Sequence, residues 1–125
     1  MKKIINTSKA PQAIGPYSQA VESNGKLYIS GQIAIDPKTG QMTNGNITEQ
    51  TELVMKNIEA ILGSAGYSFD DVIKSTCLLT DMKDFDAMNK VYGRYYAVNP
   101  PARAAFSVVG LPKGALVEIE TIATK

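Results

Sequence analysis

The 125-residue chain has no histidine, no tryptophan and a single cysteine, Cys77. Without histidine, a Ser-His-Asp or Cys-His nucleophile cannot be assembled within the chain. Zinc sites built from several Cys and His ligands are excluded on the same ground. One cysteine makes no internal disulfide, so folding places no demand on an oxidising compartment. There is no GxxxxGK[ST] or GxGxxG segment to cradle a nucleotide phosphate. A charge excess of one sign is also missing: 13 Lys and Arg against 12 Asp and Glu leave a net charge of +1. The densest basic cluster is Lys2-Lys3, and no general attraction to nucleic acid follows. No apolar run approaches the ~18 residues of a membrane helix. After Ile4-Ile5, polar Asn6, Thr7, Ser8 and Lys9 interrupt the apolar run a secretory signal needs. The expected location is the cytosol, without membrane or nucleic-acid partners. Chemistry is left to Arg, Glu, Asp, Lys, Tyr, Ser, Asn, the backbone and water, and no metal or cofactor is implied.

What is present reads as one domain over residues 1–125, with 44% hydrophobic residues, enough to build a core. Lys2 to Ile5 reads as a short strand and Ser8 to Gly15 as a loop. Tyr17 to Glu22 and Lys26 to Ser30 read as strands joined at Asn24-Gly25, a strong hairpin signal. Val54, Ile58, Ile61, Leu62 and Ala65 recur at the helical period, behind a capping box formed by Asn46 and Glu49. Gly63 and Gly66 mark the end of that helix. A strand follows in which Ile73, Ser75, Cys77 and Leu79 share the buried face. That placement makes Cys77 a core residue, with no local cation to activate a thiolate. A second helix starts near Asp81 or Asp84, carries Phe85, Met88, Tyr92, Tyr95 and Tyr96 on its apolar stripe, and ends before Asn99-Pro100-Pro101. Ala102 to Val109 and Ala115 to Thr124 complete six strands. The expectation is an α+β domain in which two helices cover one sheet face. The other face meets solvent or a second subunit.

Period-two alternation then sorts side chains. Ala102, Ala104, Phe106 and Val108 share one face of the fifth strand, and Arg103, Ala105 and Ser107 the other. Val117, Ile119, Thr121 and Ala123 oppose Glu118, Glu120 and Ile122 in the last strand. If the apolar faces meet the helices, Arg103 and Glu118 both lie on the helix-free face. Arg103, among small neighbours, could bind a carboxylate through two parallel hydrogen bonds. Glu118 could accept a proton from water. Pattern alone favours the plainer reading, a structural Arg–Glu pair or two unrelated solvated charges. Gly15-Pro16-Tyr17 would deliver Tyr17 to a strand start, Ser30-Gly31-Gln32 would let a ligand approach the backbone, and Asn89 sits just off the helical stripe.

Several segments together carry a specific resemblance. These are Gly15-Pro16-Tyr17-Ser18-Gln19-Ala20, Ile29-Ser30-Gly31-Gln32-Ile33, Asp36-Pro37-Lys38-Thr39-Gly40, Pro101-Ala102-Arg103, Leu111-Pro112 and Val117-Glu118-Ile119-Glu120. In this order, from about Pro11 to Ala123, they resemble the Rid (YjgF-type) family of reactive imine and enamine deaminases. The resemblance implies a chorismate-mutase-like fold, a six-stranded mixed sheet with two helices on one face. It also implies a homotrimer with sites in clefts between subunits. The implied substrates are 2-imino acids such as 2-iminopropanoate and 2-iminobutanoate, released by pyridoxal-phosphate dehydratases and hydrolysed to 2-keto acids and ammonia. By motif, Arg103 would hold the carboxylate and Glu118 would position or activate water. Tyr17, Ser30, Gly31 and Asn89 would line the cleft. One departure bears on the chemistry: Ala105 stands where many deaminating members carry cysteine. A non-catalytic carboxylate-binding trimer and an RNA-directed translation inhibitor are the competing expectations. A chorismate-mutase activity would rest on fold likeness alone.

Overall fold

The computed structural model describes residues 1–125 and contains the two helices and six strands expected. The strands are β1 (Lys3–Ile5), β2 (Ala20–Ser23), β3 (Lys26–Gln32), β4 (Val72–Leu79), β5 (Ala102–Ser107) and β6 (Val117–Thr124). The helices are α1 (Ile47–Ser64), between β3 and β4, and α2 (Phe85–Tyr95), between β4 and β5. The sheet order is β1-β2-β3-β6-β4-β5, antiparallel throughout except for the parallel pair β4–β5. A parallel pair needs a crossover connection, and α2 supplies it. Both helices lie on one face of the sheet.

Local chemistry explains the elements. Asn24 (φ 51°) and Gly25 (φ 73°) form the two-residue β2–β3 turn, where both positions need positive φ. At the start of α1, the Asn46 side chain accepts from the Glu49 amide (3.0 Å), and the Glu49 carboxylate accepts from the Asn46 amide (3.1 Å). The helix runs through Gly63 and stops at Ser64, and Gly66 takes the left-handed conformation just beyond (φ 84°). Val54, Ile58, Ile61 and Leu62 are buried against the inner sheet face, among Leu27, Ile29, Leu79, Val117 and Ile119. Cys77 is in this core, and burial pushes its thiol up to about 11, with Arg103 a smaller opposing influence. At neutral pH the thiol is protonated and not nucleophilic.

Two local expectations are corrected. Tyr17 precedes β2 and belongs to the loop, because Gly15 (φ 124°) and Pro16 turn the chain there. Ile73 is 43% exposed, although it was expected in the core. Val72 pairs with Ala123 and Lys74 with Ile122, so Ile73 is the extra residue of a β-bulge. The bulge turns it outward and lets Val72 face inward with Ser75.

Two buried amides of α1 hold the loops next to the central strands β3 and β6. Gln50 accepts from the Leu116 amide (3.0 Å) and donates to the Gly45 carbonyl (3.1 Å). Asn57 donates to the Ile35 carbonyl (2.9 Å). The first contact fixes the chain two residues before Glu118. No helix is long and apolar enough to cross a membrane.

Candidate functional site

The residues singled out in the sequence fall into two groups on opposite faces of the sheet. This overturns the expectation that Arg103 and Glu118 share the helix-free face. Strand β5 pairs with β4 so that Ser75 stands beside Arg103 and Cys77 beside Ala105. Ser75 and Cys77 are buried on the helix side, so Arg103 and Ala105 face the helices too. In the antiparallel β4–β6 pair, Glu118 stands beside Leu78 and therefore takes the other face. The apolar residues of β5 that were expected beneath the helices, such as Ala102 and Ala104, are exposed on the open face, with Phe106 47% exposed. The edge position of β5 explains the reversal. Its helix-side face meets α2 through Arg103, which contacts Phe85, Asn89 and Tyr92, so packing does not force its apolar side inward.

The first group is built around Arg103. Its Nη1 donates to Asn89 Oδ1 at 2.6 Å. The guanidinium carbon lies 4.9 Å from the Tyr92 ring centroid and 5.5 Å from that of Phe85. Phe85, Asn89 and Tyr92 are spaced i, i+4, i+7 along α2 and so form one helical face. Arg103 has no acidic partner, leaving donors free for an external anion. The sequence reading placed Phe85 and Tyr92 in a core stripe and missed their contact with Arg103. The signal was available in the 85–89–92 spacing, but its meaning depends on where β5 docks.

The second group lines a groove of about 590 Å³ on the open side of the sheet, with Tyr17, Ser30, Gly31, Ile33, Glu118 and Glu120 among its walls. A bulge in β3 lies between Ile29 and Gln32, and there Gly31 stands directly against the Glu118 side chain of β6. Ser30 Oγ donates to the Ser18 carbonyl (2.6 Å), and the Ser30 amide donates to the Gln19 carbonyl (3.0 Å). Gln19 organises the loop bearing Tyr17. Its side-chain amide donates to the carbonyls of Thr7 (3.0 Å) and Pro11 (2.8 Å), and its side-chain oxygen accepts from the Thr7 amide (2.8 Å). The sequence reading gave Gln19 no role, since a buried glutamine holding a loop leaves no periodic trace. Glu118 is half-buried, and its carboxyl is raised above the ordinary carboxylate range, first by burial and then by the charge of Glu120. A carboxylate that holds its proton more tightly is a better base.

The fold is thus an α+β domain of the chorismate-mutase type, and its surface carries an unpaired arginine on one side and a half-buried glutamate on the other. The family model described as Endoribonuclease L-PSP matches residues 7–125. A RutC family protein of Pyrococcus horikoshii is 54% identical over 125 residues, covering 100% of this chain and 99% of its own. The 2-iminobutanoate/2-iminopropanoate deaminase of Mus musculus is 48% identical over 125 residues, covering 100% and 93%. The solved structure of YyfA from Yersinia pestis, a Rid-family protein of unknown function, superposes with a TM-score of 0.97 at 47% identity and covers 100% of both chains. This chain belongs to the Rid (L-PSP) family.

Proposed function

We propose that the protein hydrolyses reactive 2-imino acids, such as 2-iminopropanoate and 2-iminobutanoate, to 2-keto acids and ammonia, in sites formed between subunits of a homotrimer. The observation that carries the reading is the division of the candidate residues between two faces. Arg103, Asn89 and Ala105 form one half-site, while Tyr17, Ser30, Gly31 and Glu118 form the other. One chain cannot apply both halves to a molecule of a few atoms. A head-to-tail ring, in which the first half-site of each subunit meets the second of its neighbour, would join them. The deaminase relative at 48% identity supports the substrate class.

Each residue then has a task. Arg103 binds the carboxylate through two hydrogen bonds. Fixing that end sets the C=N carbon beside a water held by the facing Glu118, which is an orientation effect. As the water oxygen bonds to the carbon, the Glu118 carboxylate accepts a proton and the nitrogen is protonated. Glu118 returns its proton to the amino nitrogen, the C–N bond breaks as ammonia departs, and the hydroxyl proton passes to solvent as the C=O bond forms, which leaves Glu118 ionised again. Ammonia and the 2-keto acid leave, and atoms balance with one water consumed. No thiol takes part, so Ala105 shapes the pocket without limiting this chemistry. A pyridoxal-phosphate dehydratase acting on serine or threonine would supply the substrate.

The test couples such a dehydratase to this protein and follows keto-acid release with semicarbazide present to trap free imine. Wild type is expected to raise the keto-acid yield above the spontaneous level. A rate unchanged across several amino acids would leave a carboxylate-binding trimer as the reading, with Ala105 in place of the thiol as the feature favouring it.

A pH prediction follows from the groove. Glu118 must be ionised to accept the proton. In the single chain burial and then the charge of Glu120 raise its carboxyl, while the Arg103 that the proposed ring sets opposite it acts the other way, so the direction of the expected shift rests on the Glu120 contribution alone. Besides Glu120, the charged side chain lining the groove is Lys113. Glu120→Gln removes the like charge and is expected to move the acid limb of activity to lower pH, read as a kcat/KM–pH profile against wild type. A shift the other way would contradict the assignment of Glu118 as the base.

A further inference from the structure

Arg103 rests at the end of a chain of aromatic rings. Tyr92 packs on Tyr96 with centroids 4.7 Å apart, Tyr96 meets the edge of Phe69 at 5.3 Å, and Phe69 meets Tyr95 at 5.2 Å. Tyr92 and Tyr96 are 5% and 6% exposed, so the Tyr92 ring has little freedom to tilt. A guanidinium is planar, and its preferred seat is the face of such a ring. Asn89 occupies one donor, Nη1. With the plane set by Tyr92 and one corner held by Asn89, the remaining donors point in a defined direction.

We propose that Tyr92 is the positioning residue for Arg103: its immobilised ring sets the guanidinium plane, so that the free edge meets the substrate carboxylate side-on. This rests on the deaminase reading for its substrate but not for its geometry. A lysine could rest on the ring but would gain no orientation from it, since an ammonium has no plane. Phe85, farther from the guanidinium carbon, closes the second side of the cradle.

The phenol of Tyr92 has no protein hydrogen-bond partner, so Tyr92→Phe removes the hydroxyl while keeping the ring. Tyr92→Leu removes the ring face. Seating on the ring is an interaction with Arg103 in both ground and transition states, so its loss falls on KM. The expectation for Tyr92→Leu is a KM about tenfold higher, since a cation–π contact to a half-exposed arginine lies between the exposed and desolvated limits, with kcat within about twofold of wild type. Tyr92→Phe is expected to stay within about twofold in both. The second readout is the NMR signal of the Arg103 guanidinium and δ protons, identified by their loss in Arg103→Lys. Ring currents should hold these signals upfield in wild type and in Tyr92→Phe, and release them in Tyr92→Leu.

Unshifted Arg103 signals in wild type overturn the proposal, even where Tyr92→Leu does not fold. So does a folded Tyr92→Leu with unchanged signals and KM, or a Tyr92→Phe that behaves like Tyr92→Leu. Should wild type turn over no imine, a titration with 2-oxobutanoate on the same signals replaces KM. Shifted signals with weakened binding in Tyr92→Leu then uphold the positioning role while the deaminase reading falls. No 2-oxobutanoate binding by wild type would overturn the carboxylate-directed role as well.

Discussion

Arg103→Ala and Glu118→Gln, each close to the spontaneous rate alone, are expected to regain activity when co-expressed at equal levels and purified as mixed oligomers. Truncating a charged anchor of this kind costs roughly 2–5 kcal/mol. Removing a general base costs about 10²–10⁴ in rate. In a ring where each site takes Arg103 from one subunit and Glu118 from the next, a site is intact only when an Arg103→Ala chain supplies the glutamate and a Glu118→Gln chain supplies the arginine. Random assembly makes this true of about a quarter of sites in a closed cyclic ring. Recovery near that fraction would support the inter-subunit site. If both residues served one site on one chain, no mixture would contain an intact pair. Mixed oligomers no better than either parent would therefore refute the arrangement, provided both variants unfold at wild-type temperature. The premise is structural: Arg103 faces α2 beside Ser75, while Glu118 lines the groove on the other face.

Gly31→Ala is expected to lose turnover by about 10²-fold while remaining folded, the scale on which a misplacement of ~1 Å acts. A Cβ on Gly31 would overlap the Glu118 carboxylate oxygen and stand 2.8 Å from its carboxyl carbon. Gly31 has no positive φ, so the demand is for space and not for backbone freedom. The end of Glu118 is flexible and can swing away, which spares stability but removes the base from its place. The measurement is kcat in the dehydratase-coupled assay, beside a thermal melt. Full activity in a folded Gly31→Ala would mean that the position of Glu118 seen here is not the working one. The same comparison tests why a glycine stands inside a strand, where it would otherwise weaken the sheet.

These sites differ in how far the sequence discloses them. The helix α1 is legible because its burial pattern and its caps are both local: Val54, Ile58, Ile61 and Leu62 define a face, and Asn46 with Glu49 defines its start. The Asn24-Gly25 turn and the alternation of β6 are legible for the same reason. Glu118 was placed correctly, because its inward neighbours Val117 and Ile119 can be nothing but core. Arg103 was not, because the apolar face of β5, with Ala102, Ala104 and Phe106, is the one left exposed at the sheet edge, so the composition of the strand points the wrong way. Ile73 was misplaced because a bulge inserts one residue and reverses the alternation behind it, and no residue type announces that insertion.

The sequence by itself determined the element order, the α1 face, the core placement of Cys77 and the residue types able to act in a chain without histidine. These follow from near-neighbour periodicity, turn chemistry and composition. Only the tertiary structure decided which way β5 faces, that Arg103 seats on Tyr92, and that Arg103 and Glu118 look away from each other. Those outcomes depend on strand register and helix docking between segments far apart in the chain. Their free energy belongs to the pairing of surfaces, and no local stretch of residues contains it.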